Sequence, residues 1–186
     1  DEPVASRYTL AGEPTTQASS ILVTTTNMAS LYFNWVSGNG ANRIVLMKAA
    51  GAVDSFPSDG TGYTNNAAFG SGTQIGTGNY VVYSGSGTNV EVSGLAGDTI
   101  YHIRVFEFGG SGVTANYLTS AAAGNPTNST TMAANPATAA SDLAISSIGA
   151  TAFTITWTKG TAGTNTLVLV KNAGISTDPS DLNTYS

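Results

Sequence analysis

Cysteine is absent, histidine occurs once, and only 9% of the 186 residues are charged. The first absence excludes a disulfide framework, a zinc–thiolate site and a cysteine nucleophile. The single histidine, His102, excludes any site that needs two imidazoles, which includes the common catalytic zinc sets. Six Lys+Arg stand against eleven Asp+Glu, a formal net charge of -5, the wrong sign for wrapping a phosphate backbone. Nucleic acid is therefore not an expected partner. Long hydrophobic runs are missing as well. The strongest, Ile44 to Met47, falls far short of the ~18 residues that cross a bilayer, so no membrane insertion is expected.

What is present is a strand-and-turn composition. Twenty-two glycines accompany abundant Ser, Thr, Asn and Ala, with few of the Lys and Glu that line the exposed faces of helices. The sequence begins Asp1-Glu2-Pro3 with no basic segment leading into an apolar one, as expected if a signal peptide had been removed. Low Lys, no Cys and a surface rich in Thr, Ser, Asn and Gly fit a secreted or cell-surface bacterial protein. Asn128-Ser129-Thr130 reads formally as a glycan acceptor, a triplet that chance supplies often in a Ser/Thr-rich chain.

Self-similarity organises the chain. Pro14-Thr15-Thr16-Gln17-Ala18-Ser19 aligns with Pro136-Ala137-Thr138-Ala139-Ala140-Ser141 at an offset of 122 residues. At the same offset Leu31, Phe33 and Trp35 fall on Phe153, Ile155 and Trp157, and Gly38 falls on Gly160. After one inserted residue, Ile44-Val45-Leu46-Met47-Lys48 meets Leu167-Val168-Leu169-Val170-Lys171; Pro57-Ser58-Asp59 meets Pro179-Ser180-Asp181, and Tyr63 meets Tyr185. The expected organisation is an N-terminal extended segment over 1–13, a first copy over 14–128 with a long insertion at 50–79, a linker over 129–137, and a partial second copy over 138–186. The aperiodic stretch from Gly124 to Pro136 reads as linker in its composition. A half copy leaves apolar faces and strand edges uncovered, so either more of the protein or a neighbouring molecule is expected to supply what is missing.

Alternation marks the strands. Leu31, Phe33 and Trp35 share one face of an extended segment, with Tyr32 and Asn34 on the other. Ile44 to Met47 is apolar on both faces, as a covered central strand requires. Tyr80–Tyr83, Val90–Val92, Thr99–Phe108 and Tyr117–Thr119 supply further strands, punctuated by Gly85-Ser86-Gly87 and Leu95-Ala96-Gly97-Asp98. About seven short strands with such turns indicate an all-β, antiparallel sandwich.

Trp35 in the second strand, Leu95-Ala96-Gly97-Asp98-Thr99-Ile100-Tyr101 leading into a long strand, and a closing strand near a proline resemble a fibronectin type III domain. The stretch from Leu95 to Tyr101 resembles the tyrosine corner, in which the phenol bonds back to nearby backbone. Gly38 to Val45, Phe69 to Tyr83 and Asn116 to Thr119 are similar to fibronectin-like domains in secreted, multidomain proteins of the Bacteroidetes. That resemblance implies export, through a type IX route whose sorting domain would lie beyond Ser186. The connection from Ala49 to Tyr80 departs from it, being too long for a simple strand crossing, and no Arg-Gly-Asp triplet is present. If Tyr101, Ile103 and Val105 face the core, then His102, Arg104 and Phe106 face outward beside one face of Ile44 to Met47. Large bare apolar faces are rare in water. Phe56, Tyr63 and Phe69 of the insertion are expected to fold over this one as a lid; an open ligand groove is the alternative.

Candidate chemistry is thin. A Ser-His-Asp set needs a carboxylate beside the base, and Asp98, four residues from His102 along an extended strand, would sit about 13 Å away. Asp54, Asp59, Asp178 and Asp181 lie in loops, but calcium wants six to eight oxygens and no Asp-x-Asp-x-Asp run exists. Gly70-Ser71-Gly72 and Gly109-Gly110-Ser111-Gly112 lack the Lys-Ser/Thr end of a phosphate loop, and the latter reads as a hairpin turn. Tyr63, Tyr80 and Tyr83 are candidates for stacking on sugars and equally ordinary strand residues. The sequence thus points to no catalytic, metal or cofactor-binding residues and leaves ligand-binding residues unassigned. The expected function is a non-catalytic extracellular spacer or adhesive element of a larger secreted or cell-surface protein, its partner a protein or glycan at the cell surface or neighbouring copies of itself. The rival readings are a surface-filament subunit assembled by strand addition and a carbohydrate-binding module accessory to a secreted hydrolase.

Overall fold

A computed structural model describes residues 7–161, 163, 165–172 and 178–180. The chain divides into two compact units, Asp1–Ala133 and Ala134–Ser186. In the first, the strands are β1 Ser19–Thr26, β2 Ser30–Val36, β3 Asn42–Ala49, β4 Tyr80–Gly85, β5 Asn89–Ser93, β6 Ile100–Gly109, β7 Asn116–Tyr117 and β8 Thr127–Thr130. One sheet has the order β1-β2-β5; the other has β4-β3-β6-β7, with β8 paired along the first half of β6. Every ladder is antiparallel. This is an all-β antiparallel sandwich, an architecture consistent with an immunoglobulin- or fibronectin III-like fold. Among the described residues no helix is long and apolar enough to cross a membrane.

The inner core follows from the period-2 pattern. Leu31, Phe33 and Trp35 of β2 pack with Val45 and Met47 of β3 and Ile103 of β6. Each such side chain contributes about 1.5–3 kcal/mol by leaving water. Trp35 is only 4% exposed and meets the Tyr83 ring edge-on at 5.4 Å. Behind it, Tyr101 accepts a hydrogen bond at its hydroxyl from the Ala96 N–H (2.9 Å), which is the tyrosine corner that the sequence resembles.

The opposite face of β3 and β6 is apolar too, and residues 50–79 cover it. Ile44, Leu46, Phe106 and Phe108 form a second cluster with Val53, against which Tyr63 and Ile75 pack. Phe56 lies 5.6 Å from Phe106, and Tyr63 lies 5.9 Å from Tyr117. The lid expected at Phe56 and Tyr63 is therefore present. Phe69 departs from that expectation. It packs edge-on against Tyr101 and Tyr80 (5.1 and 5.2 Å) and joins the inner core, because residues 67–69 are drawn to the free edge of β5. There Ala68 bridges Ser93 in parallel, and the Phe69 N–H donates to the Ser93 carbonyl (2.9 Å). The insertion closes β4 as well, the Val81 N–H donating to Thr73 O (2.9 Å) and the Asn66 N–H to Val81 O (3.1 Å). One connection thus supplies a third layer and seals two strand edges.

The stretch read as linker is partly strand. β8 occupies Thr127–Thr130, and the bonding continues through Thr131 and Met132, whose N–H groups donate to Thr99 O and Asn27 O. A run of Thr, Asn and Ser carries no apolar alternation, so pattern alone could not mark it. In the second unit β9 (Ser141–Ser146) and β10 (Thr154–Thr158) form a two-stranded antiparallel sheet. Trp157 is 40% exposed there, whereas Trp35, its counterpart in the repeat, is buried. Asp181 and Tyr185 lie outside the described residues.

Candidate functional site

Polar chemistry in the first unit concentrates where β2 turns into β3. The turn Gly38-Asn39-Gly40 wraps the carboxylate of Glu107, which projects from the end of β6 and is fully buried. Glu107 Oε1 accepts from the Gly38 N–H (2.8 Å) and from Arg43 Nε (2.9 Å), and Oε2 accepts from the Gly40 N–H (2.9 Å). Arg43 Nη1 and Nη2 donate to Ser86 O (2.9 Å) and Gly40 O (3.2 Å). A side chain at position 38 would collide with the Thr16 carbonyl, and one at 40 would meet Glu107 Oε2 at 2.6 Å, so both positions require glycine for close approach. Gln17 completes the ring, accepting from the Glu107 N–H (2.8 Å) and donating to Leu118 O and Ser120 O. Nothing in the sequence pattern flagged this network. The signal that was there is the Gly-x-Gly turn followed three residues later by an arginine.

A second bridge ties the sheets together through Asn125. Its amide donates to Ala18 O and Val105 O and accepts from the Val105 N–H. A third holds the insertion at its base. Buried Asn79 donates to Asp54 Oδ1 (2.9 Å) and Ile75 O (3.0 Å), and Lys48 Nζ donates to Asp54 Oδ2 (2.6 Å). The Lys48 and Asn79 bonds hold the Asp54 carboxyl below the usual carboxylate range.

The outer face carries an aromatic–cation stack. The Arg104 guanidinium lies 4.3 Å from the Phe56 ring centre and 4.9 Å from that of Phe106, and donates to Thr119 O (2.6 Å). Burial pushes its pKa down. Beside it His102 stands half-buried opposite Lys48 of β3 and Asn128 of β8. Among the described residues no carboxylate bonds to His102; the Asp98 N–H instead donates to Met132 O.

Most of the candidate residues named from the sequence thus hold the fold together. Asp59 accepts the Tyr117 N–H (2.8 Å), clasping the lid to β7. Burial, with Tyr63 and Asp59 close by, pushes the Tyr117 hydroxyl up to about 12, and it donates to Thr61 O (2.9 Å). The Tyr63 hydroxyl accepts from the Ser58 N–H and the Tyr83 hydroxyl from the Gly87 N–H. With Tyr80 against Phe69, each of the three candidate sugar-stacking rings has a structural partner. Gly109 to Gly112 turns β6 into a three-residue 3-10 helix before β7, as a hairpin loop should. Asp178 is exposed. Among the described residues no three His, Asp or Glu side chains gather as a metal site.

No family model matches the chain. No curated protein matches it significantly. Among solved structures it is similar to the FN3 domain of human collagen XX, at 16% identity and a TM-score of 0.31, over 63% of this chain and 99% of that one. The strand order and the two clusters define the fold without that likeness.

Proposed function

We propose that this chain is a non-catalytic extracellular β-sandwich segment that serves as a spacer or adhesive element of a larger secreted or surface protein. The observation that carries the reading is where the chain joins and leaves the first sandwich. Ahead of β1, the Thr15 and Thr16 N–H groups donate to Asn39 Oδ1 (3.0 and 2.9 Å), at the β2–β3 end. After β8, the Met132 N–H donates to Asn27 O (3.1 Å), at the β1–β2 end. The eight residues of β1 lie between, a rise of roughly 26 Å. Tension along the chain would act across the full length of the sandwich, as a spacer needs. The buried polar groups Arg43, Glu107, Gln17, Asn79 and Asn125 are all engaged in internal bonds, which favours a rigid body over a reactive cleft.

The second unit is proposed as the opening of another copy of the same module, beginning near residue 138. Its β9–β10 pairs Ser141↔Thr158, Ala144↔Thr156 and Ile145↔Ile155 stand 122 residues beyond Ser19↔Val36, Leu22↔Asn34 and Val23↔Phe33 of β1–β2. Ser20 and Asp142, at the same offset, both adopt left-handed backbone (φ 52° and 53°). Gly160 approaches the Thr138 carbonyl as Gly38 approaches that of Thr16.

Single-molecule stretching between Thr16 and Met132 tests the spacer reading. The expected trace is one cooperative event releasing about 40 nm, at ~3.5 Å per residue. Extension in several weak steps would contradict it. A hit on a glycan array would favour a glycan-binding adhesive form over the plain spacer.

A further inference from the structure

Asn39-Gly40 is the one Asn-Gly pair in the sequence. Asparagine before glycine is chemically labile, because no side chain on the next residue shields its amide nitrogen. The reaction closes a cyclic imide: Gly40 N bonds to Asn39 Cγ, the Cγ–Nδ2 bond breaks, and the Gly40 amide proton ends on the departing ammonia. Water then opens the ring at either carbonyl and leaves aspartate or isoaspartate at position 39.

Both reacting groups are held in the structure. Asn39 Oδ1 accepts from the Thr15 and Thr16 N–H groups (3.0 and 2.9 Å), and Nδ2 donates to Thr15 Oγ1 (2.9 Å). The Asn39 N–H donates to Thr16 O (3.2 Å). The attacking nitrogen is held separately, its N–H donating to Glu107 Oε2 (2.9 Å), while Arg43 fixes that carboxylate in turn. Burial is not what protects the pair, since Asn39, Thr15 and Thr16 are all exposed and water is at hand. The closure is geometric. Ring formation requires the carboxamide to turn out of three hydrogen bonds and the Gly40 nitrogen to leave a fourth. The one Asp-Gly pair in the sequence is held in the same way: Asp59 Oδ1 accepts the Tyr117 N–H (2.8 Å), and the Gly60 N–H donates to Ala115 O (2.8 Å). In both labile pairs the side chain and the following nitrogen are engaged by different partners.

We infer that Asn39-Gly40 is a latent deamidation site, kept closed by Thr15, Thr16 and Glu107, and that it forms a one-way latch where the chain enters the sandwich. Local opening at Thr15 and Thr16 frees the carboxamide to react. Once isoaspartate forms, the main chain runs through the former side chain and is longer by one carbon. Gly40 N–H is carried away from Glu107, and no carboxamide is left for Thr15 and Thr16 to bind. The entry point, once released and modified, does not re-form.

Peptide mapping by mass spectrometry, with fragmentation to place the change, follows Asn39 in the full chain at mildly alkaline pH, folded and in denaturing urea. Conversion should be roughly tenfold or more slower in the folded protein. Thr15→Val removes only the Oγ1 acceptor; it should raise the folded rate a few-fold while amide exchange in β3 and β6 stays unchanged. The purified isoaspartate form should show faster exchange at the Thr15 and Thr16 N–H groups, again with β3 and β6 unchanged. Equal conversion in folded and unfolded chain overturns the closed site. Faster conversion in the folded chain overturns it too, since Glu107 and the two threonine N–H groups would then promote ring closure. A Thr15→Val rate equal to the natural one, or a rise matched by faster exchange throughout β3 and β6, overturns the role of the Thr15–Thr16 anchor. Undiminished protection of Thr15 and Thr16 in the isoaspartate form overturns the latch.

Discussion

Arg43 Nε lies 2.9 Å from Glu107 Oε1, and both side chains are almost wholly removed from solvent. In a chain with so few charges, an ion pair placed inside the sandwich fixes how β3, β6 and the β2–β3 turn meet. Its worth lies in the bonds around it, since a bare buried pair seldom repays its desolvation.

Removing the carboxylate should therefore be costly. Glu107→Ala orphans the Arg43 charge and the Gly38 and Gly40 N–H groups together, for a loss of about 3–5 kcal/mol. Pairing Glu107→Leu with Arg43→Met should recover only part of it, because the two glycine donors stay unsatisfied. Urea melts of the two variants beside the unaltered protein check this; full recovery by the double variant would show that the glycine bonds contribute nothing.

Tyr101→Phe keeps the ring in the core and removes only the bond to the Ala96 N–H. Ala96 is exposed, so water replaces the lost partner, and the cost should be about 0.5–1.5 kcal/mol. The change should appear as a shifted denaturation midpoint at constant slope.

Asn79→Ala should loosen the base of the insertion while leaving the inner core intact. The side chain is buried and its bonds to Asp54 and Ile75 have no substitute, so a loss of roughly 2–3 kcal/mol is expected. Limited proteolysis should then cut within residues 50–79 before any other part of the first unit.

Alkaline pH supplies a fourth test through Tyr117. Its hydroxyl is held up to about 12 in the folded protein, chiefly by burial, against 10.0 for the free group. Between those values the unfolded chain releases a proton that the folded chain keeps, so stability falls as pH rises from about 10 and levels off above 12. Tyr117→Phe should be less stable at neutral pH, having lost the bond to Thr61 O, and should lack this share of the alkaline decline. Parallel decline in both proteins would contradict the assignment.

What the sequence made legible, and what it hid, divides by the kind of signal each element carries. Leu31, Phe33 and Trp35 announce β2 because alternation in a half-buried strand is visible in residue type. The lid was legible for a related reason: Phe106 and Leu46 needed cover, and Phe56 and Tyr63 were at hand. β8 was hidden because its Thr, Asn and Ser positions are set by pairing with β6 and not by burial. Phe69 was misplaced because sequence cannot say which of two apolar layers a loop aromatic enters. Glu107 was invisible as a buried acid since its partners, two backbone N–H groups and an arginine 64 positions away, come together only in the fold. Trp157 repeats Trp35 in sequence but not in burial, since β10 pairs only with β9 among the described residues, with no strands there in the places of β5 and β6.

Amide hydrogen exchange tests most directly whether residues 50–79 form an integral layer of the first sandwich. The Asn66 and Phe69 N–H groups donate to Val81 O and Ser93 O on the sealed edges of β4 and β5. Both should exchange roughly a thousandfold slower than in an unstructured chain, within the slow class that includes β3 and β6. Exchange of Asn66 and Phe69 at unstructured rates, with β3 and β6 still protected, would mean that the insertion is a loose loop and that the covered, rigid module described for residues 7–132 is wrong.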